Sequence, residues 1–476
     1  MNSEMARLTT LLLFTHQYCT IDKHILYLSL KKNIIIWNLQ KKNVSLPQKM
    51  SYKKILLLIF IFIVCISAVT YVSYIPTEPE LKGKKTVLCI PVYGQSLALG
   101  EEAIRITDFD SLRTKYDGRI ITENLDYNFG YFDHSSEFKE KIKEIFHYQR
   151  KAYELSLYGM AEALASKIGN DTLICIFPGG HGMTRIEGLI KPSAPYKKFI
   201  DEINRAYKKS KERGWSFQVP AICWMQGESD IVDYTQDTYK KFFQQFIKDV
   251  NYDIKTITKQ QDDIRIISYQ TNAITKGKRF LSNNFHSLET CVPETQRLLV
   301  LEDTLIWASG PTYPYSFVNE NIHIDAIGQK SIGTLAAKSI LGIIRGEKRN
   351  IGLQPTDITI SNNDITIIFN VPIPPLLFDT TTVSKVMNYG FSVVTPNNIN
   401  ILKAIKLNKE SITIKCSASP KGCRIRYAIN GNLMRSGNKN GPRGNLRDSQ
   451  GEILQTIIND NIIKLHNWCF QFDIKI

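Results

Sequence analysis

The sequence predicts an open α/β layer with a mostly parallel sheet, followed by a smaller all-β module. Between residues 86 and 345 short apolar runs alternate with amphipathic stretches, the pattern of strands joined by crossover helices. From Ile351 the texture changes to short alternating runs separated by Asn, Gly and Pro, which is that of an antiparallel module. A chain of 476 residues accommodates two such units and a tail.

Parallel strands are expected at 86–91, 172–177, 219–224, 264–269 and 305–308, each a continuous apolar run as suits a sheet covered on both faces. Helices are expected at 153–168, where Leu155, Leu157, Met160, Leu164 and Ile168 keep helical spacing, and at 196–213, 239–250 and 329–344. Residues 101–150 are polar and aromatic with Asp/Asn/Gly turns and read as an insertion over the mouth of the sheet. The α/β unit is placed at 86–347 and a β-sandwich-like unit at 348–476, with a boundary in the basic, glycine-containing stretch 346–353. Strands of the second unit are expected at 358–360, 365–369, 412–415, 424–429 and 468–474.

Residues 1–49 are basic and carry no motif. Met50-Ser-Tyr-Lys-Lys then leads into 55–72, 18 residues without a charge, close to the roughly 20 a helix needs to cross a bilayer. With its polar, Pro-containing linker, the stretch 50–85 is expected to be a signal peptide or membrane anchor that exports the body of the chain, with Met50 as the true start. The formal charge of +15 is no sign of a nucleic-acid partner: residues 1–85 hold 12 Lys/Arg against 4 Asp/Glu, and no nucleic-acid motif is present. The nine cysteines show no zinc spacing, so neither a metal nor a cofactor is called for. Cys65, Cys89, Cys175 and Cys223 lie in apolar runs and read as buried hydrophobes, whereas Cys416 and Cys423 flank a turn-rich loop that could close as a hairpin disulfide.

Four clusters fall where strands should end. Val87 to Leu97 breaks at Gly94-Gln95-Ser96, the place where open α/β sheets put their ligands; Ser96 is either a nucleophile or simply a helix N-cap. Phe177-Pro-Gly-Gly-His-Gly-Met-Thr-Arg is a glycine-rich turn whose N–H groups could stabilise an oxyanion. Trp224-Met-Gln-Gly-Glu-Ser-Asp230 gathers so many hydrogen-bonding side chains that a site explains it more easily than structure alone. In Glu320-Asn-Ile-His323 a carboxylate three residues ahead of a histidine is placed to fix its tautomer, and a serine across the domain needs a base.

Gly94-Gln95-Ser96, the turn at 179–184, Trp224-x-Gln-Gly-Glu-Ser-Asp230 and Glu320-x-x-His323 together resemble the SGNH hydrolases, and within them the sialate O-acetylesterase-like carbohydrate esterases. The resemblance spans 86 to about 345, and Arg424-Ile-Arg-Tyr-Ala-Ile with Asn445-Leu-Arg-Asp-Ser-Gln-Gly looks like the β-rich tail of many members. It implies a flavodoxin-like three-layer α/β/α domain and a serine esterase that removes O-acetyl groups from a carbohydrate through an acetyl-enzyme. Ser96 would be the nucleophile, His323 the general base and Glu320 its orienting acid. The oxyanion donors would be the N–H of Ser96, Gly182 and Gln226 or Gly227, and Gln95, Glu228 and Asp230 would bind substrate. Trp224, Tyr93, Tyr313 and Tyr315 would stack on sugar faces.

Three departures stand out: Glu320 where the family usually has Asp, Met183 where it has a second glycine, and Ser-Asp at 229–230 in place of Asn-Asp, which would leave Ser229 or Gln226 to supply a side-chain donor. The first two motivate an alternative, a glycan-binding or adhesion protein on a catalytically weak esterase scaffold. A lipase or thioesterase of the same superfamily is a third reading.

Overall fold

The computed structural model describes residues 84–122, 153–231, 234–273, 291–458 and 460–476. The expected extension 1–49, the apolar stretch 55–72 and residues 123–152 of the expected insertion lie outside the described residues. Among the described residues no helix is long and apolar enough to cross a membrane.

The apolar run that ends at Gly94 forms β1 (Thr86–Cys89) and β2 (Val92–Gly94), two pieces of one pass separated at Pro91, which has no N–H for a ladder. Next come α1 (Phe109–Lys115), β3 (Ile120–Ile121), α2 (Ser156–Ala165), β4 (Thr172–Cys175), β5 (Pro178–Gly180) and α3 (Ala194–Glu212). They are followed by β6 (Ser216–Gln218), β7 (Ala221–Met225), α4 (Gln236–Thr258), β8 (Arg265–Gln270), α5 (Cys291–Glu302), β9 (Ile306–Pro311) and α6 (Ala326–Ile344). The sheet pieces run β3-β4-β1-β6 and β5-β2-β7-β8-β9, and the pairs that link them are parallel. Since β1/β2, β4/β5 and β6/β7 are consecutive pieces of the same passes, the five passes lie in the order second, first, third, fourth, fifth. That is the flavodoxin-like winding, whose switch point lies between the first and third passes. Within the described part of the expected insertion, β3 extends the edge of the sheet beside β4.

Strand periodicity divides the core in two. Val87 and Cys89 face the layer that holds Phe199 of α3 and Phe243 and Phe246 of α4, while Leu88 and Ile90 face the layer that holds Met160 of α2 and Ile332 and Ala336 of α6. Both faces are apolar, so every residue of β2 and β7 at the centre of the sheet is buried. Helix starts follow capping chemistry. Ser193, Thr235 and Asp325 each accept a hydrogen bond from the N–H three residues on, and α4 ends where Lys259 takes a left-handed φ of 61°. Neither the short α1 nor α5 shows a clear apolar period, and the sequence pattern did not reveal them.

The chain between α6 and the next strand is pinned: Arg349 Nη1 donates to the carbonyls of Val300 and Asp303, and Asn350 O accepts from Ala308 N. The antiparallel part begins with β10 (Gln354–Ser361) and continues with β11 (Asp364–Asn370), β12 (Leu377–Phe378), β13 (Phe391–Val394), β14 (Leu402–Leu407), β15 (Ser411–Cys416) and β16 (Arg424–Tyr427). It closes with β17 (Leu446–Arg447), β18 (Gln455–Ile458), β19 (Asn461–Lys464) and β20 (Phe472–Lys475). Sheets β10-β11-β15-β14 and β13-β16-β20 share a core of Ile365, Ile367, Ile412, Ile414, Phe391, Val393, Ile425 and Tyr427. Cys416 and Cys423 are buried as free thiols, as are Cys89, Cys175 and Cys223.

Residues Pro79–Ile476 pack as one compact unit. Tyr313, from the loop after β9, is buried in the β core and donates to the carbonyl of Cys469 at 2.8 Å, while Phe470 is buried in the α/β core. The Gln270 side chain bonds the Gln471 backbone twice, donating to its carbonyl and accepting from its N–H, each at 2.8 Å. An aromatic exchange of this kind makes each part complete the packing of the other.

The crossing of α2 and α6 rests on two glycines. A Cβ on Gly333 would lie 1.8 Å from the carbonyl oxygen of Ser156, and one on Gly159 would lie 2.2 Å from that of Lys330. Gly333→Val is expected to destabilise the protein by about 3 kcal/mol or more, seen as a lower urea midpoint, because backbone rather than a movable side chain occupies the space.

Candidate active site

The register of three neighbouring strands builds the site. Gly94 at the end of β2 pairs with Gly180 of β5 on one side and Met225 of β7 on the other. Two residues further on along these three adjacent strands come Ser96, Gly182 and Gly227, so Ser96 emerges between the glycine-rich turn and the Gln-Gly-Glu-Ser-Asp loop, at the switch point. A side chain at Gly94 is impossible: its Cβ would lie 2.0 Å from Met225 O. Beyond Ser96 the chain makes successive tight turns rather than a helix, with Leu99 N and Glu101 N both bonded to Ser96 O. The N-cap reading of Ser96 therefore does not hold.

The Ser96 hydroxyl lies 2.8 Å from His323 Nε2, and His323 Nδ1 lies 2.8 Å from Glu102 Oε2. Serine and histidine are both buried. With Nδ1 protonated toward the carboxylate, Nε2 is left to accept the hydroxyl proton, which is the geometry of a nucleophile, base and orienting acid. The carboxylate is Glu102 and not Glu320, which corrects the sequence expectation. Asn319 and Glu320 take left-handed φ of 52° and 51°, so the three-residue spacing to His323 is not a helical turn. The Glu320 carboxylate accepts from Asn440 Nδ2 at 2.6 Å and lies 3.8 Å from Arg435 Nη1. Glu102 itself has a φ of 63°, a conformation that costs a non-glycine residue energy and is held by its surroundings. The turn that carries it is fixed by Glu154, whose backbone N donates to Ala103 O and whose carboxylate accepts from the backbone N–H groups of Ile106 and Thr107. The only sequence signal for Glu102 was the pair of carboxylates after Gly100.

The expected oxyanion donors separate. Gln226 is fully buried; its amide donates to Asp230 and to Thr184 O, and its Oε1 accepts from Tyr239, so its side chain is committed. The N–H groups of Gly227 and Ser229 point to Gln95 Oε1 at 3.4 and 3.3 Å. Among the described residues the N–H groups of Ser96 and Gly182 donate to no protein atom, and these two remain for an oxyanion. Met183 has a φ of 53° and an exposed side chain, which explains why glycine suits this position and shows that methionine occupies it without intruding.

Gln95, Glu228 and Asp230, expected to bind substrate, are buried and bonded within the protein. Glu228 Oε1 accepts from Tyr269 and Thr271, and Asp230 accepts from Ile186 N at 3.1 Å as well as from Gln226. Their role is to tie the ends of three strands together. Burial raises the Glu228 carboxyl above its usual range and pushes Asp230 up to about 7, outweighing the bonds that favour the anion. Tyr93, Trp224 and Tyr313 are core residues rather than sugar platforms, and Tyr315 packs against the core beneath α6. The acidic group that does face the reacting atoms was not singled out from sequence. Glu101 Oε2 lies 3.9 Å from His323 Nε2 with its side chain 31% exposed, and its carboxyl is raised by partial burial. Among the described residues no three His, Cys, Asp or Glu side chains converge as metal ligands.

Glu102→Gln is expected to lower kcat for an aryl acetate by about 10²- to 10⁴-fold, since an amide cannot stabilise the imidazolium. Asp230 has a pH signature of its own. A carboxyl whose folded pKa is raised contributes stability that is full below its ordinary pKa near 3.8 and lost as pH rises through about 7. Between pH 4 and 8 the unfolding free energy of the native protein should therefore fall relative to that of Asp230→Asn, by on the order of a few kcal/mol.

Residues 131–342 match the family model described as carbohydrate esterase, sialic acid-specific acetylesterase. No curated protein sequence matches the chain. Among solved structures, a carbohydrate acetylesterase from Xanthomonas citri aligns with a TM-score of 0.50 and 12% identity over 81% of this chain and 80% of that one, a likeness of fold. A carbohydrate acetylesterase from Sinorhizobium meliloti aligns at a TM-score of 0.32 and 12% identity, covering 55% of this chain and 100% of that one. An aryl esterase from M. smegmatis aligns at 0.32 and 10%, covering 54% and 99%. With the family match over residues 131–342, the flavodoxin-like winding and a serine at its switch point, the α/β domain of this chain is a carboxylic ester hydrolase, similar to the carbohydrate esterases described as sialic acid-specific acetylesterases.

Proposed function

We propose that the chain is a serine esterase that removes O-acetyl groups from a sugar through an acetyl-enzyme. The observation that carries this reading is the line of hydrogen bonds from Ser96 Oγ through His323 to Glu102, 2.8 Å at each step. His323 Nε2 takes the hydroxyl proton as Ser96 Oγ bonds to the acetyl carbonyl carbon, and the carbonyl oxygen becomes an oxyanion facing the N–H groups of Ser96 and Gly182. As the carbon–oxygen bond to the sugar breaks, the imidazolium returns the proton to the leaving sugar oxygen. Water then gives its proton to His323 and attacks the acetyl-serine, which releases acetate and restores the Ser96 hydroxyl.

Glu101, beside Nε2 and partly exposed, is placed to accept a hydrogen bond from a sugar hydroxyl next to the ester. The weak-scaffold alternative loses its motive, because Glu102 fills the role sought for Glu320 and Met183 stands clear of the turn. Export of residues 86–476 by the apolar stretch 55–72 belongs to the same proposal and accords with an extracellular glycan substrate.

The test is acetate release from a panel of O-acetylated sugars, sialate among them, and from an aryl acetate. Ser96→Ala should lose at least about 10⁴-fold in kcat and fail to react with a fluorophosphonate while keeping its melting temperature. Retained activity in that variant would remove Ser96 from the mechanism.

A further inference from the structure

The histidine loop does not stand on the α/β domain alone. It runs from the end of β9 to the start of α6 and is closed on itself by Val318 N to His323 O at 2.8 Å and Asp325 N to Ser316 O at 2.9 Å. At its tip Asn319 and Glu320 are two successive non-glycine residues in the left-handed region. Each such residue is strained and persists only where neighbours hold it.

The neighbour is a segment of the β part, between β16 and β17. Ser436 N donates to Glu320 O at 2.8 Å, Asn440 Nδ2 to Glu320 Oε1 at 2.6 Å, and Asn438 N to Tyr315 O at 3.1 Å. Ser316 Oγ lies 3.4 Å from Asn438 Oδ1. The approach is too close for a side chain at Gly437, which has a φ of 89°: its Cβ would lie 2.8 Å from Tyr315 O and 2.9 Å from the Phe317 ring. Both the backbone and the carboxylate of Glu320 are thus held from the β part, three residues before His323.

We propose that the segment 436–440 is a brace for the general base, and that Glu320 is a positioning residue acting through it. The inference rests on the esterase reading. The β part then takes part in catalysis without touching substrate: it holds the strained loop so that His323 Nε2 stays 2.8 Å from Ser96 Oγ. Glutamate suits this role because its carboxylate extends to Asn440, away from the imidazole.

The experiment uses the full chain and an aryl acetate, too small to reach a distant subsite. Glu320→Ala and Asn440→Ala should each lower kcat by about tenfold or more, since a displacement near 1 Å at the base costs up to 10²-fold. KM should stay within about twofold, and fluorophosphonate labelling of Ser96 should slow in step with kcat. Because both substitutions break one contact, the double variant should be no slower than either single one. Glu320→Gln keeps an acceptor oxygen for Asn440 and should recover most of the rate. Gly437→Val, which blocks docking by bulk, should reproduce the loss independently.

Unchanged kcat in Glu320→Ala and Asn440→Ala overturns the brace, as does a loss that tracks only the fraction of unfolded protein. Failure of the esterase reading looks different: the native protein would release no acetate, or would release it equally as Ser96→Ala.

Discussion

The structure depends on a close approach between strands that leaves no room for a side chain at Gly94. Because β2 lies with backbone against backbone between Gly180 and Met225, three chain segments leave the sheet side by side. The middle one delivers Ser96, one flank delivers the free N–H of Gly182, and the other delivers the loop that anchors Gln95. A Cβ at Gly94 or Gly180 would push these segments apart and take the serine away from its donors.

Around that arrangement sits a buried polar network whose work is structural. Gln226, Glu228, Asp230, Tyr239, Thr271 and Gln296 bond to one another and to the backbone. Burying such groups is costly unless they are partnered, and the many bonds within this network make it correspondingly rigid. It lets Ser96 emerge from a fixed floor, while His323 and Glu102 arrive on loops. Those loops adopt left-handed conformations at Glu102, Asn319 and Glu320 and are secured by contacts from outside themselves, Glu154 for the first and Asn440 with Ser436 for the others.

Much of this was legible in the residues. The continuous apolar runs identified the strands because a sheet covered on both faces must be apolar at every position, and Ser96 and His323 stood out as polar residues at strand ends. The carboxylate was misread because a three-residue spacing brings side chains together only on a helix. At 320–323 the backbone turns left-handed instead, and Glu320 is carried off to Asn440. Glu102, 221 positions away from the histidine it contacts, carried no local pattern that would single it out. The polar cluster at 226–230 was recognised as chemically dense, but composition does not say which way a side chain points. Its groups turned inward, and the aromatic residues expected to stack on sugars became core.

Taken alone, the order of apolar and polar residues determined the α/β layer, the antiparallel part that follows, and the serine and histidine as the pair to be brought together, because periodicity and strand-end polarity are local properties of a chain. Tertiary structure decided which carboxylate serves the histidine, which N–H groups stay free, and that the β part holds the histidine loop. Those outcomes follow from hydrogen-bond geometry between segments far apart in sequence, settled only when the strands take their register and the loops their handedness.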